Sequence, residues 1–407
     1  MHKYTVHRGF PSMHKVSSEC DSGIFLICFS FSVLIDAVME KEGKFLQLPD
    51  GRKISYREQG LPKQSATRSL LVLHGLGSSR LASMPGVSED LLKEMGVRLI
   101  AIDRPGYGLS TPNPQQSFST AAADIANIAD ILELGERIWL LGYSCGGAYC
   151  WGAARYIPER IAGIAMWAPA GNYWWKVTVL KSNRSMDFTD TQRKAAMAEI
   201  TIGSRLMFLL VRQVPQWMVY AYVRHVVVRT VGARWVASAK KQLSPPDQHN
   251  LAANGSSGLM FRDSIESAKQ DGFGMAQDLQ LLTGDWGFGL SDVQRVYHGP
   301  LHIWQGDQDW LVPISLQRLI KKRIPDLVHL HELLGEGHLS PFCFNDKVHR
   351  DTLSVMFSKT RDSNEVSLTN VNKALENTPQ IKTWTKRRLG RNCQGRAPHQ
   401  HSAGDST

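Results

Sequence analysis

Short apolar runs that end in glycine or polar residues recur along the first part of the chain. Three of them, at 69–75, 96–106 and 137–142, suit strands that are buried on both faces. Within 120–134 the apolar residues recur at intervals of three and four, which predicts a helix with one buried stripe. Strands and helices that alternate at this short spacing predict a parallel sheet with helices on both faces.

A hairpin precedes these strands, and a second strand region follows a long interruption. The runs KFLQL and KISYRE flank an Asp-Gly turn, which predicts a β-hairpin from residue 44 onward. Residues 172–297 are predicted to be largely helical, with no obvious buried strand. The strand pattern resumes at 299–313 and 327–333, with a helix between these runs and a closing helix at 347–358.

These boundaries predict one α/β domain with an insertion. The core comprises residues 44–171 and 298–358, and residues 172–297 are inserted between them as a helical lid. Residues 1–43 form a leader or an anchor. Residues 359–407 are polar and aperiodic, so we predict a basic, disordered tail.

Composition narrows the class of protein. The chain has 407 residues, of which 43% are hydrophobic and 21% charged, enough for a sizeable buried core. Much of the net charge of +10 lies in residues 379–407, which carry six Lys or Arg and one Asp. We interpret this stretch as a solvated end, and since no nucleic-acid-binding motif is present we expect no nucleic acid partner.

The six cysteines form no CxxC pair and no metal-ligand spacing, and no nucleotide or redox motif is present. We therefore expect no metal and no cofactor. So few cysteines in a long chain also favour a reducing, intracellular compartment, either the cytoplasm or a membrane-associated location.

The N-terminal segment has three interpretations that stay open. Residues 23–35 are apolar and end at Asp36, whereas a membrane span needs about 20 residues. The segment is a short signal anchor, a helix lying on a membrane or on the domain, or a non-native leader before a start at Met39. A membrane surface is thus a predicted partner, through residues 23–38 or through the lid.

The sequence Gly142-Tyr143-Ser144-Cys145-Gly146 places a serine between two glycines, where a predicted strand meets a predicted helix. In such an elbow the turn is too tight for side chains at the glycine positions, and it lifts the serine oxygen above the carboxyl edge of the sheet. The helix that follows directs its partly positive N-terminal amides to the same place. Ser144 is therefore the predicted nucleophile.

A serine hydroxyl needs a base, and the base needs an acid that orients it. After an elbow of this kind the acid and then the histidine follow later in the chain. Asp309, in GDQDWLVP after the penultimate strand, is the predicted acid, because ligand-facing side chains collect at such strand ends. Asp307 follows Gly306 directly and is expected to fix the turn or to face water, and Asp285 is an outside candidate for the acid.

The predicted base is His338, in the loop after the last strand, where the preceding glycines let the loop bend inward. His329 and His331 lie within that strand and are interpreted as ordinary strand residues. The sequence HGLG at 74–77 ends another strand and predicts an oxyanion hole formed by the backbone N–H groups of Leu76 and Cys145. The competing interpretation of 74–77 is a plain glycine turn.

Five motifs in this order, HGLGSS, DRPGYGLS, GYSCGG, GDQDWLVP and GEGHLSPF, resemble those of the α/β-hydrolase superfamily. The resemblance covers about residues 44–358. It implies the α/β-hydrolase fold, a mostly parallel central sheet with helices on both faces and an inserted helical lid. The stretches DRPGYGLSTPNP, APAGNYWW and AQDLQLLTGDW resemble more narrowly a group of plant α/β hydrolases, which says little about the substrate.

The lid sequence bears on the substrate. Residues 204–229 are heavily apolar and are interrupted by Pro215, and Tyr173, Trp174 and Trp175 stand where the chain leaves the sheet. An apolar, aromatic lid suits an acyl or other hydrophobic small-molecule substrate, and it also suits contact with a membrane surface. The alternative is that these residues only pack the lid onto the core.

The predicted activity is hydrolysis of a carboxylic ester, with a thioester or an amide left open. By the resemblance, an epoxide hydrolase or a dehalogenase of this fold would carry Asp at position 144. The second hypothesis is a small-molecule receptor, because plant receptors of this fold keep an intact triad, although their lid is more compact. A lyase of hydroxynitrile type would need a polar group above the triad, which the sequence does not locate. The oligomeric state is left open.

Overall fold

The computed structural model describes residues 43–180, 183–253 and 256–358. The predictions for the leader and for the tail lie outside these described residues. The first compact unit of the chain ends at Thr352 and contains the central sheet and all of the groups discussed below, and a second unit begins at Leu353.

Ten strands are present in the described residues, and eight of them form the central sheet in the order β1-β2-β4-β3-β5-β6-β9-β10. The strands are Lys44–Gln47 (β1), Lys53–Gly60 (β2), Arg68–Leu73 (β3), Val97–Ile102 (β4), Ile138–Tyr143 (β5), Ile161–Trp167 (β6), Lys176–Leu180 (β7), Asn183–Met186 (β8), Leu301–Gly306 (β9) and Val328–Leu333 (β10). The predicted hairpin is confirmed, because β1 and β2 pair in antiparallel register around the Asp-Gly turn.

From β4 onward the neighbouring strands of the sheet run parallel. The chain passes from β3 to its neighbour β4 and then back across β3 to β5, so the strand order reverses there. Because crossovers between parallel strands are right-handed as a rule, this reversal places helices on both faces of the sheet. The mostly parallel sheet predicted from the sequence is therefore confirmed. Its central strands are mostly apolar, and Leu70, Leu71 and Val72 of β3 are fully buried.

Thirteen α-helices are present in the described residues. They are Glu89–Glu94 (α1), Phe118–Ile131 (α2), Cys145–Tyr156 (α3), Asp190–Ala198 (α4), Ile202–Gln213 (α5), Gln216–Tyr222 (α6), Ala233–Gln242 (α7), Pro245–Ala253 (α8), Ser256–Ser267 (α9), Phe273–Thr283 (α10), Leu290–Gln294 (α11), Ile314–Arg323 (α12) and Asp346–Phe357 (α13). Helix α2 illustrates why they form: the Ser117 side chain caps its N-terminus, and Ile125 and Ile128 lie on its buried stripe.

The insertion between β6 and β9 contains helices α4 to α11, but it is not wholly helical. Strands β7 and β8 form a separate two-stranded antiparallel hairpin directly after the chain leaves the sheet. Sequence inspection missed this hairpin because its strands have five and four residues, too few for periodicity to separate strand from loop.

A buried ion pair joins the insertion to the core. Asp278 of α10 accepts two hydrogen bonds of 2.8 Å from the guanidinium of Arg104, which follows β4. The hydroxyl groups of Tyr107 and Tyr149 donate to the same carboxylate. Both partners of the ion pair are at most 2% exposed, so the pair is stable only while each charge keeps its partners.

We expect Asp278→Asn to lower the free energy of unfolding by about 3–5 kcal/mol, because it leaves the Arg104 guanidinium buried without a counter-charge. Asp271→Asn is the matched control, since Asp271 pairs with Arg224 at 3.2 Å on the surface, with 58% of its side chain exposed. There the loss should stay within about 1 kcal/mol. Urea unfolding followed by circular dichroism measures both values, and equal losses would contradict the assignment.

Candidate active site

Ser144 occupies the turn between β5, which ends at Tyr143, and α3, which begins at Cys145. Its backbone has φ 52° and ψ −116°, a conformation that L-residues rarely adopt. Two hydrogen bonds of 2.8 Å hold it there: the Ser144 N–H donates to the Trp167 carbonyl, and the Ser144 carbonyl accepts from the Ala170 N–H. The strained turn therefore presents the half-buried Ser144 side chain at the carboxyl edge of the sheet.

The two glycines of the elbow are required by close approach of the backbone. A Cβ at Gly146 would overlap the carbonyl oxygen of Leu73 in the neighbouring strand β3. A Cβ at Gly142 would lie 2.6 Å from Cys150 Sγ and 2.7 Å from the Gly146 carbonyl carbon. These contacts bring the serine turn against the end of β3, where the 74–77 loop begins.

His338 and Asp309 form a buried pair. The His338 Nδ1 and Asp309 Oδ2 atoms are 2.7 Å apart, and each residue is 5% exposed. The Asp309 carboxylate also accepts hydrogen bonds of 2.8–2.9 Å from the Gln305 side chain and from the N–H groups of Leu311 and Val312. These contacts orient the carboxylate, which in turn orients the imidazole.

The balance of charge around His338 favours its protonated form. Burial lowers the pKa of the imidazole, but the charge of Asp309, its hydrogen bond and the charge of Asp247 together raise that pKa by more. The net shift is upward from the ordinary value, so His338 is a stronger base than a free histidine.

Tyr143 connects this pair to the serine turn. Its hydroxyl donates to the His338 carbonyl at 2.8 Å, and its ring stacks on the imidazole with a centroid separation of 5.6 Å. Among the described residues no hydrogen bond joins Ser144 Oγ to the His338 ring. In a ligand-free catalytic site such a bond is often long and tightens only when substrate is bound.

The other predicted acids and histidines lie elsewhere. Asp307 accepts a hydrogen bond of 2.7 Å from the Gly335 N–H and fixes the turn between two loops. Asp285 is exposed and accepts from the Gly287 N–H, so it is not the partner of His338. His329 and His331 lie in β10, with their rings stacked on neighbouring rings of β9.

The loop at 74–77 is held by a buried neutral histidine. His74 Nε2 accepts from the Arg104 N–H at 3.1 Å, which leaves Nδ1 to donate to the Gly75 carbonyl at 2.8 Å. Burial, together with the charge of Arg104, lowers the pKa of His74 well below its usual value. A Cβ at Gly75 would lie 3.3 Å from Ser144 Cβ, so the loop passes directly beside the serine.

The two amides predicted to form an oxyanion hole are available. In the described part of the chain neither the Leu76 N–H nor the Cys145 N–H has a protein acceptor. The Cys145 amide lies in the first turn of α3, where N–H groups have no intrahelical partner and carry partial positive charge. Burial, with a further contribution from Asp278, raises the pKa of the Cys145 thiol well above its usual value, so that thiol is neutral.

Asp247 is a site residue that sequence inspection missed. It is fully buried, and its carboxylate accepts hydrogen bonds of 2.7–2.9 Å from the N–H groups of His338, Leu339 and Ser340. Asp247 belongs to α8 in the insertion, where the run Ser-Pro-Pro-Asp indicates only the start of a helix. No local signal identifies its partners, which lie about ninety positions away in the chain.

Side chains of the insertion also contact the 74–77 loop. A Cβ at Gly77 would lie 2.9 Å from Met275 Cε and 3.2 Å from Trp235 Cζ2. Trp174 and Trp175, by contrast, are buried, and the Trp175 ring packs against other aromatic rings of the core. The aromatic residues at the start of the insertion thus pack it onto the core, whereas Trp235 and Met275 lie beside the predicted oxyanion hole.

In the described parts of the chain no three His, Cys, Asp or Glu side chains are grouped so that they could hold a metal ion. Across those same parts no helix combines the length and the hydropathy needed to cross a bilayer.

Comparison with known proteins identifies the family. Residues 68–342 match the family model described as the alpha/beta hydrolase fold. The chain is 25% identical over 122 residues to bifunctional epoxide hydrolase 2 of Sus scrofa, covering 28% of this chain and 22% of that protein. It is 37% identical over 90 residues to protein phosphatase methylesterase 1 of Schizosaccharomyces pombe, covering 20% of this chain and 26% of that protein.

The chain thus spans about a quarter of the length of these curated relatives. Among solved structures, the esterase EaEST of Exiguobacterium antarcticum superposes with a TM-score of 0.53 at 18% identity, over 78% of this chain and 100% of that one, which shows a shared fold. The narrower resemblance to a plant group stays a prediction. Because the matched residues cover most of the chain and include six of the eight strands of the central sheet, the serine turn and the histidine loop, the chain belongs to the alpha/beta hydrolase family.

Proposed function

We propose that the protein hydrolyses a carboxylic ester of a hydrophobic small molecule, with Ser144 as nucleophile, His338 as base and Asp309 as the orienting acid. The observation that carries the proposal is the buried His338–Asp309 pair at 2.7 Å, placed by Tyr143 beside a strained serine turn. A structural histidine has no need of a fully hydrogen-bonded buried carboxylate at this edge of the sheet.

In the proposed reaction His338 Nε2 takes the Ser144 hydroxyl proton as Oγ attacks the ester carbonyl. The carbonyl oxygen becomes an oxyanion that accepts hydrogen bonds from the Leu76 and Cys145 amides. His338 then returns the proton to the departing alkoxide, and an acyl group remains on Ser144. Water then attacks that acyl group, with His338 again accepting a proton. His338 gives this proton to Ser144 Oγ as the carboxylic acid leaves, which regenerates the free serine.

Two features bear on the substrate: one on the bond that is cleaved and one on the group next to it. Ser144 stands where an epoxide hydrolase of this fold would carry Asp, so the activity named for the Sus scrofa relative does not transfer. Trp235 and Met275 pack against the 74–77 loop, so the side chains of the insertion beside the predicted oxyanion hole are apolar, which suits a hydrophobic acyl or alcohol group.

Labelling with a fluorophosphonate probe tests the nucleophile. We expect the parent protein to be labelled and to hydrolyse p-nitrophenyl esters, and Ser144→Ala to lose the label and roughly 10³-fold or more of kcat. Ser65→Ala, at an exposed serine away from the turn, is the control for nonspecific serine labelling. A folded parent protein that takes no label, while a small ligand raises its Tm, would contradict the proposal and favour the receptor hypothesis.

The pH dependence of kcat/KM tests the base. His338 must be neutral to accept a proton, and its pKa is raised, so activity should fall as the pH drops through a value above 6.5. Asp309→Asn removes the charge and keeps the burial, so the pKa of His338 should fall. The acidic limb of the pH profile of kcat/KM should then move to lower pH, while kcat falls by about 10⁴-fold. An acid limb that does not move in Asp309→Asn would argue that another group titrates.

Asp247 is proposed as a positioning residue for the His338 loop. Asp247→Ala leaves three buried N–H groups without an acceptor, and we expect kcat/KM to fall about tenfold or more. Asp247→Asn keeps an acceptor oxygen but removes a charge that raises the His338 pKa, so its acid limb should move to lower pH.

The control for Asp247 is Asp187→Asn, another buried carboxylate of the insertion, which accepts from the Leu290 N–H at 2.7 Å. Its acid limb should match that of the parent. The positioning role is wrong if Asp247→Asn also keeps the parent's limb, because a purely structural defect lowers activity without moving the pKa of the base.

A further inference from the structure

The outer face of the insertion exposes an unusual amount of apolar surface. Along α5, Ile202, Leu206 and Leu210 are 71%, 56% and 63% exposed, and along α6 Trp217 and Tyr222 are 68% and 57% exposed. Three more exposed apolar residues adjoin them: Leu209, Met218 and Val226. We call these eight residues the outer lid face.

The exposed residues of this face are not the ones that attach the helices to the rest of the insertion, because the same helices bury residues on a different side. Val211 of α5, Val219 of α6 and Val223 form one apolar cluster with Met275 and Leu279 of α10. Spacings of four residues, from Ile202 through Leu206 to Leu210, place the exposed residues on the opposite stripe. The two helices are therefore apolar on both sides, which an ordinary solvent-exposed helix avoids.

The part of the insertion that carries the outer lid face has an excess of exposed positive charge. Residues 200–270 contain nine Lys or Arg and three acidic residues. The three acids, Asp247, Asp263 and Glu266, are at most 6% exposed and pair inside the protein. The exposed cations of this stretch are Arg224, Arg229, Arg234, Lys240, Lys241, Arg262 and Lys269. Two of them have an acidic partner, since Arg224 pairs with Asp271 just after the stretch and Lys269 pairs with Glu266.

We propose that the outer lid face docks on the surface of an anionic lipid bilayer. The apolar side chains enter the boundary between headgroups and acyl chains, and the exposed Arg and Lys side chains meet the lipid phosphates. Each cation close to an anionic surface adds about tenfold or less to the affinity, so several together with the apolar residues give measurable binding.

Charge also decides between this occupant and two others. A second copy of the chain would bring its own cations against the same cations, which disfavours a symmetric dimer through this face. The apolar segment at 23–35 contains no acidic residue that could pair with the cations. An anionic bilayer is the occupant that complements both the apolar and the charged parts of the face.

The docking surface and the candidate active site share the insertion but use different residues. Trp235 and Met275, on its inner side, contact the 74–77 loop beside Ser144. The proposal does not depend on the proposed hydrolysis, because Ser144→Ala should bind vesicles like the parent protein. Failure of one proposal is thus distinguishable from failure of the other.

Vesicle flotation of the full chain tests the docking. We expect binding to phosphatidylcholine vesicles that contain phosphatidylserine, weaker binding without phosphatidylserine, and weaker binding at high salt. The double variant Leu210→Ser with Trp217→Ser should bind about tenfold less or weaker, since it removes two exposed anchors. The double variant Arg229→Glu with Arg234→Glu should lose the preference for phosphatidylserine.

Matched controls are Phe45→Ser in β1, where the side chain is 52% exposed, and Lys322→Glu in α12, both outside the insertion. Both should bind like the parent. Circular dichroism melting, together with fluorophosphonate labelling, checks that the lid variants remain folded, which their exposed positions favour.

Three results would overturn the proposal. In the first, both lid variants bind vesicles like the parent. In the second, binding is lost only in Leu26→Asp with Phe29→Asp, which assigns it to the 23–35 segment. In the third, the parent binds no vesicles and elutes as a dimer that Leu210→Ser with Trp217→Ser converts to a monomer, which assigns the face to a second copy.

Discussion

The structure depends on buried carboxylates of the insertion that reach into loops of the core. Asp247 accepts from three amides of the His338 loop, and Asp278 pairs with Arg104 next to the 74–77 loop. Two more act in the same way on the loop after β3: Asp263 accepts from Ser79, and Glu266 shares the buried Arg80 with Asp103. A buried carboxylate without its partners is strongly unfavourable, so the insertion has one well-defined position over the site.

This constraint links stability to chemistry. The groups that fix the insertion also contribute to the electrostatics of the candidate active site. Burial lowers the pKa of His338, but the effects of Asp309 and Asp247 together outweigh burial and raise that pKa, and Arg104 adds to the effect of burial, which lowers the pKa of His74. One histidine is thereby suited to accept a proton, and the other is a neutral support for the loop beside Ser144. Two buried imidazoles at one sheet edge thus have pKa values shifted in opposite directions because their charged neighbours differ.

The insertion has two chemically different sides. On its inner side Trp235 and Met275 lie against the 74–77 loop, and its outer side carries exposed apolar residues together with exposed cations of the same stretch of chain. The three acidic residues of 200–270 are buried in contacts with the core, so the exposed charged side chains of this stretch are Lys and Arg. Internal pairing of the acids and the cationic exterior are therefore two consequences of one arrangement.

The sequence by itself determined the sheet, the serine turn and the order of the catalytic candidates. Apolar runs locate β3, β4 and β5, and the glycines at 142 and 146 identify the turn, because these signals are local and their spacing is read along the chain. Asp309 and His338 could also be chosen from their positions after β9 and β10. Whether they and Ser144 act together stays a prediction that the proposed experiments test.

Only the tertiary structure decided which distant residues meet. Asp247 and Asp278 carry no local signal of their partners, because a helix-start acid and a mid-helix acid look like surface residues in the sequence. The hairpin of β7 and β8 was likewise missed, because its strands are too short for a hydrophobic period to be recognised. Exposure of the outer lid face is also a tertiary property. From its sequence an apolar helix is expected to be buried, and only the structure shows that neighbouring helices cover one of its sides and leave the other exposed.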